Sequence, residues 1–193
     1  MPGTQRQRHA SHALGASPAR DVVANEIKNE MKELLEKISS YNIFNYLLPG
    51  VVFGFWISNV LNFPIDGDIL TKSFIYYFLG LIVSRFGSLV IEPFLKWTKI
   101  AKFEPYEDFV KASKKDDKID LLSEVNNMYR TIISLISLIG LIKIYLWLEM
   151  KFAWLVNVRI PFLVIALLLI FVLSYRKQTG FISKRIKSNL NDK

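Results

Sequence analysis

The chain has 193 residues with no cysteine, two histidines and a net charge of +8, and 51% of it is hydrophobic against 22% charged. Those numbers exclude a disulfide framework, thiolate chemistry and a Cys-ligated metal. Charge is almost absent from four long apolar stretches, so the composition describes segregation between lipid and water, not a uniformly basic surface.

Residues 1–20 contain no Ile, Phe, Asn, Lys or Tyr, although the remainder is rich in all five. This head reads as disordered or non-native, and as an Arg-rich, acid-free segment without the apolar core of a secretory signal. Both histidines, His9 and His12, fall within it. Asp21 is placed to cap a helix through Ser39, with Val23, Ile27, Met31, Leu34 and Ile38 on one stripe. Residues 21–42 therefore read as an amphipathic N-terminal helix, either a lead-in resting on the bilayer or a short assembly helix.

The first apolar stretch runs Ile43–Phe63 and the second Ser73–Leu95. At ~1.5 Å per residue each is long enough for a hydrocarbon core of about 30 Å. Pro64-Ile65-Asp66-Gly67-Asp68 between them has tight-turn chemistry, so residues 43–95 are expected to form a transmembrane hairpin. Asn42, Asn45 and Pro49 share a face of the first span under helical spacing. Pro49-Gly50 inside a helix loosens its hydrogen-bond ladder, making these two hinge candidates or a kink repaired by neighbours. In the second span Arg85, Ser88 and Glu92 fall at i, i+3 and i+7, and Gly80 with Ser84 gives a small-xxx-small contact. Ionisable residues at membrane depth are functional candidates. Arg85 is expected either to tie to a carboxylate or carbonyl within the bundle, or to line a polar path.

Residues 96–130 carry eight basic and seven acidic residues, a balance that argues against a nucleic-acid patch. Tyr106–Lys114 and Asp116–Arg130 read as helices, the second continuing into the third span. Residues 131–175 are expected to form a second hairpin, Thr131–Met150 followed by Val158–Tyr175. Ser134, Ser137, Gly140 and Lys143 recur at three-residue steps in the third span, and Lys143 is positioned to snorkel outward. The fourth span is almost wholly Leu, Ile, Val and Phe; Pro161 is expected in its first turn, where proline is tolerated. Residues 176–193 form a basic tail in which Ile182, Ile186 and Leu190 follow an i+4 stripe past Gly180, an amphipathic helix suited to anionic headgroups.

The fold class expected is all-α: a polytopic membrane protein with four transmembrane helices in two hairpins and amphipathic cytoplasmic helices. Twenty of the 25 Lys and Arg residues fall on one side of such a topology, which places both termini and the central loop in the cytoplasm. Nucleotide-binding glycine motifs, zinc-protease motifs and nucleophile elbows are absent from the sequence, so the expectation is a non-enzyme with no cofactor and no metal.

The strings Tyr41-Asn42-Ile43-Phe44-Asn45-Tyr46-Leu47-Leu48-Pro49-Gly50 and Asn126-Asn127-Met128-Tyr129-Arg130-Thr131 resemble uncharacterised small bacterial membrane proteins of anti-phage defence operons. The resemblance covers about a fifth of the chain. It implies a bacterial inner-membrane effector that oligomerises and permeabilises the membrane after a cytosolic signal. The functional expectation is thus a homo-oligomeric channel or membrane-permeabilising effector with a cytosolic protein or small-ligand activator. Its intramembrane polar candidates are Asn42, Asn45, Arg85, Ser88, Glu92 and Lys143. The competing expectation is a non-conducting anchor or adaptor whose cytoplasmic loop binds a partner protein.

Overall fold

The computed structural model describes residues 42–62 and 64–191. The head, the amphipathic helix expected over 21–42 (Asn42 apart) and the last two residues of the tail lie outside the described residues. Among those described, every regular element is a helix. A π-helical turn, Ile43–Leu47, leads into α1, Leu48–Leu61. Then come α2, Ile69–Phe86, a second π turn, Gly87–Ile91, and α3, Glu92–Trp97. The short α4 spans Tyr106–Ser113, α5 Lys118–Lys151 and α6 Trp154–Asn191.

Each π turn lies just ahead of a proline. Pro49 and Pro93 carry no N–H, so the carbonyls of Asn45 and Leu89 lose the donor a regular helix would give them. The wider π geometry accommodates this without ending the helix. α2, the π turn and α3 accordingly run as one apolar helix, Ile69–Trp97, of 29 residues. The α1–α2 connection is set by two backbone devices. Asn62 ends α1 in the left-handed region at φ 51°, and Gly67 at φ 135° takes a conformation that a Cβ would strain. Asp68 then caps α2, its Oδ1 accepting from Thr71 N–H at 2.9 Å.

Among the described residues three helices are long and apolar enough to cross a membrane: Ile69–Trp97, Lys118–Lys151 and Trp154–Leu190. The first expected span is shorter. Its apolar helix covers Asn45–Leu61 and ends there, because Asn62 turns the chain in the left-handed region. The expected junction at Arg130–Thr131 is continuous helix within α5. One expectation about the last helix is corrected. It begins at Trp154 rather than Val158, since only Phe152 and Ala153 separate it from α5; Pro161 therefore sits inside the helix, beyond its first turn. The tail read as a basic amphipathic helix is helical as far as Asn191, as the direct continuation of α6 through Gly180.

The tightest packing joins α1 and α2. A Cβ built on Gly50 would lie 1.7 Å from the Tyr76 carbonyl oxygen, and one on Gly80 would lie 1.7 Å from that of Tyr46. The two glycines thus allow backbone-to-backbone approach in both directions, the use of small residues expected where lipid competes with every apolar contact. Gly50 serves this contact, which fixes the helix pair at the position read as a hinge candidate. Phe53 of α1, Val83 of α2 and Leu135 of α5 form the buried apolar centre, flanked by Trp56, Leu79 and Leu138. α6 joins through ring contacts, Phe78–Phe171 at 6.0 Å and Tyr145–Phe162 at 6.0 Å. None of its most apolar stretch is buried, in keeping with a lipid-facing helix.

Candidate functional site

Polar side chains gather at three levels of the bundle. The innermost is a network of Asn45, Ser84, Thr131 and Ser134, all buried. Thr131 donates to Asn45 Oδ1 at 2.6 Å, with the Asn127 carbonyl at 2.9 Å as the alternative acceptor for its single proton. Asn45 Nδ2 donates to Ser84 Oγ at 3.4 Å, and Ser134 donates to the Val83 carbonyl at 2.5 Å. Gly87 admits α5 at the same level, since a Cβ there would stand 3.1 Å from that of Ser134. Buried polar groups are costly unless satisfied; here residues from three helices satisfy one another.

The second level centres on Glu92. Its Oε2 accepts from Arg130 Nη1 at 2.7 Å, and its Oε1 pairs with Lys96 Nζ at 2.9 Å and Lys177 Nζ at 3.3 Å. Lys177 also donates to Ser88, to its carbonyl at 2.7 Å and its Oγ at 2.8 Å. One carboxylate therefore holds three cations from three helices and leaves a local excess of positive charge. Only 11% of the Glu92 side chain is exposed, so removing it would leave cations in a place where water solvates them poorly.

The third level lies beside the α5–α6 turn. Arg159 makes a two-pronged ion pair with Glu149, through Nε at 2.8 Å and through Nη2 to the other carboxylate oxygen. The Tyr145 hydroxyl donates to the Leu155 carbonyl at 3.0 Å. Tyr145 and Glu149 on α5 thus meet Leu155, Arg159 and Phe162 on α6, tying the two helices together beside the turn.

The residues singled out from sequence divide accordingly. Asn45 enters the buried network, Ser88 and Glu92 enter the charge cluster, and Asn42 is half-buried at the start of the helical chain. Arg85 joins neither group. The π turn Gly87–Ile91 fits an extra residue into the turn between Arg85 and Glu92 and so shifts their phase, and the i, i+7 relation no longer defines one face. Ser84 and Glu92, eight apart, face α5 instead, through Thr131 and Arg130. The Arg85–carboxylate tie is thus replaced by Arg130–Glu92. Among the described residues Arg85 makes no ion pair or side-chain hydrogen bond, and it is half-buried. Lys143 is exposed on α5, likewise without an ion pair among the described residues.

Sequence reasoning missed Thr131, Arg130, Lys177 and the Glu149–Arg159 pair as members of these groups. Arg130 and Lys177 read as loop and tail charges because span limits were drawn by apolarity alone. No set of three or more His, Asp or Glu side chains fit to hold a metal ion occurs among the described residues. Comparison with known protein families, with curated proteins and with solved structures finds no match.

Proposed function

We propose that the chain is a multi-pass membrane protein of four spans, assembled as a homo-oligomer that forms an ion path or a membrane-perturbing pore. In this reading the Glu92 end faces the cytoplasm, by the excess of Lys and Arg there, and the Glu149–Arg159 end faces outward. The observation that carries the proposal is Arg85. It sits about 24 Å along the helix that begins at Ile69, at ~1.5 Å per residue, with no ion pair or side-chain hydrogen bond among the described residues. An unpartnered guanidinium at that depth requires water or another copy of the chain beside it. A ring of Arg85 side chains around a shared axis supplies the water, and its field favours anions. A role as an effector in bacterial anti-phage defence, triggered by a cytosolic protein or small ligand, fits this reading.

The second reading is a non-conducting anchor. It is favoured by the internal satisfaction of Asn45, Ser84, Ser88, Glu92 and Thr131, which makes them packing groups and leaves the exposed face of α4, with Glu107 and Asp108, to dock a partner. The two readings separate on membrane potential. Induced expression in bacteria, followed with a voltage-sensitive dye, is expected to depolarise cells carrying the native chain. Arg85→Ala at equal membrane abundance is expected to abolish that response or invert its ion preference. Absence of depolarisation by the native chain, under conditions where cross-linking captures its oligomer, would sink the pore reading in favour of the anchor.

A further inference from the structure

Beside Lys177 lies an open groove of about 500 Å³, lined by α6 and by Leu89 of the π turn in the α2–α3 helix. Its apolar lining is Leu89, Leu173 and Phe181, and its basic lining is Arg176, Lys177 and Lys184. Phe181 is held by the α4 residue Tyr106, ring centroids 5.3 Å apart, and Lys177 Nζ lies 5.8 Å from the Phe181 ring centre. Arg176 and Lys184 are exposed and form no ion pair among the described residues. The groove lining includes no carboxylate, and Glu92, which pairs with Lys177, is shared with Lys96 and Arg130. The groove therefore keeps a net positive rim over an apolar floor.

We propose that this groove is a binding site for one anionic phospholipid, its phosphate held by Arg176 and Lys184 and its upper acyl chain lying along Leu173 and Leu89. The assignment rests on the membrane reading above, though not on conduction. A soluble phosphate would satisfy the two free cations but has no use for three apolar side chains. A lipid uses both, and the floor is continuous with the uncovered apolar stretch of α6. Basic pockets at the cytoplasmic ends of membrane helices recognise headgroups in this way. Gly180 also lines the groove, and a Cβ built on it meets nothing within 4 Å. A larger side chain there fills the groove without disturbing the helices that frame it.

The test uses the full chain purified in a neutral detergent and titrated with phosphatidylglycerol or phosphatidylcholine in mixed micelles, with retained lipid counted by native mass spectrometry. Saturable retention of one phosphatidylglycerol per chain, in preference to phosphatidylcholine, is expected. Removing both free cations in Arg176→Gln/Lys184→Gln is expected to weaken retention roughly thirtyfold, from the ordinary contribution of a basic residue near a headgroup. Gly180→Leu is expected to weaken it about tenfold or more with all charges in place, whereas Gly180→Ala and Gly140→Leu should bind as the native chain does. Equal retention of the two lipids, or undiminished retention by Gly180→Leu, would overturn the site. Displacement of the lipid by inorganic phosphate at equal concentration would overturn the choice of lipid over a soluble anion. Alkaline carbonate washing separates this from failure of the membrane reading itself: release of the chain into the aqueous fraction defeats that reading, whatever the groove binds.

Discussion

The α1–α2–α5 core and the long helix α6 are held by different physics. In the core, glycines bring backbones together and short polar side chains bond across three helices, with Val83, Thr131 and Ser134 fully buried. α6 offers Ile165, Leu168, Leu169 and Val172 outward, all more than half exposed, and touches its neighbours through a few rings and two ion-pair sites. In water such a helix would be an error. In lipid an exposed leucine loses nothing, so burial of apolar area no longer distinguishes a good contact from none. What remains is close fit and polar satisfaction, and the core has both.

The sharpest way to break the comparison is to spoil the fit. Gly80→Leu drives a Cβ into the Tyr46 carbonyl, a collision of backbone that no side-chain rotation relieves. A loss of about 3 kcal/mol or more is expected, at the upper end of overpacking effects. Gly140→Leu on the open face of α5, where nothing lies within 4 Å, should change stability by less than about 0.5 kcal/mol. Thermal unfolding in detergent compares them directly, and similar losses would mean the α1–α2 contact is not the organising one.

Next comes the charge cluster that ties α6 to the core. Glu92→Gln leaves Arg130, Lys177 and Lys96 facing one another without their shared anion. About 2 kcal/mol of destabilisation is expected, below the figure for a fully buried pair because the cluster is partly wet. Adding Arg130→Gln removes one of the stranded cations and should recover part of the loss. If the double variant is less stable than the single by the full effect of Arg130→Gln alone, the two residues are uncoupled and the cluster is only a set of coincidental contacts.

Much of this was legible in the residues. The apolar lengths announced α2, α5 and α6, and the small-residue spacing of Gly80 and Ser84 announced a close helix contact. The continuation of Asp116–Arg130 into the third span was legible because no breaker interrupts it. What was not legible was phase. A helical wheel assumes 3.6 residues per turn, and the π turns before Pro49 and Pro93 each break that count. Arg85, Ser88 and Glu92 consequently looked like one face, and the partnership of Glu92 with Arg130, 38 positions away, had no local signature. The Glu149–Arg159 pair joins residues ten apart across the α5–α6 turn, and the spacing alone does not fix which helix faces meet there.

The mildest test concerns the turn that leads into α2. Hydrogen bonds from Thr71, first from its side chain and then from its backbone N–H, favour the ionised Asp68 carboxylate and hold its pKa below the ordinary 3.8. The depressed value fixes the sign: the cap stabilises the folded chain above the unfolded value of 3.8, and that contribution is lost as pH falls through the lower folded value. Asp68 is fully exposed, so the effect is local to the start of α2. Carboxyl titration by NMR in micelles should give a midpoint below 3.8, and Thr71→Val should raise it. Asp68→Asn keeps an oxygen that accepts from Thr71 N–H, so it should preserve the cap while abolishing its pH dependence. A native midpoint at or above the ordinary value would mean that the α2 start is set by Gly67 and Pro64 alone, and that the side-chain cap contributes nothing to joining α1 and α2.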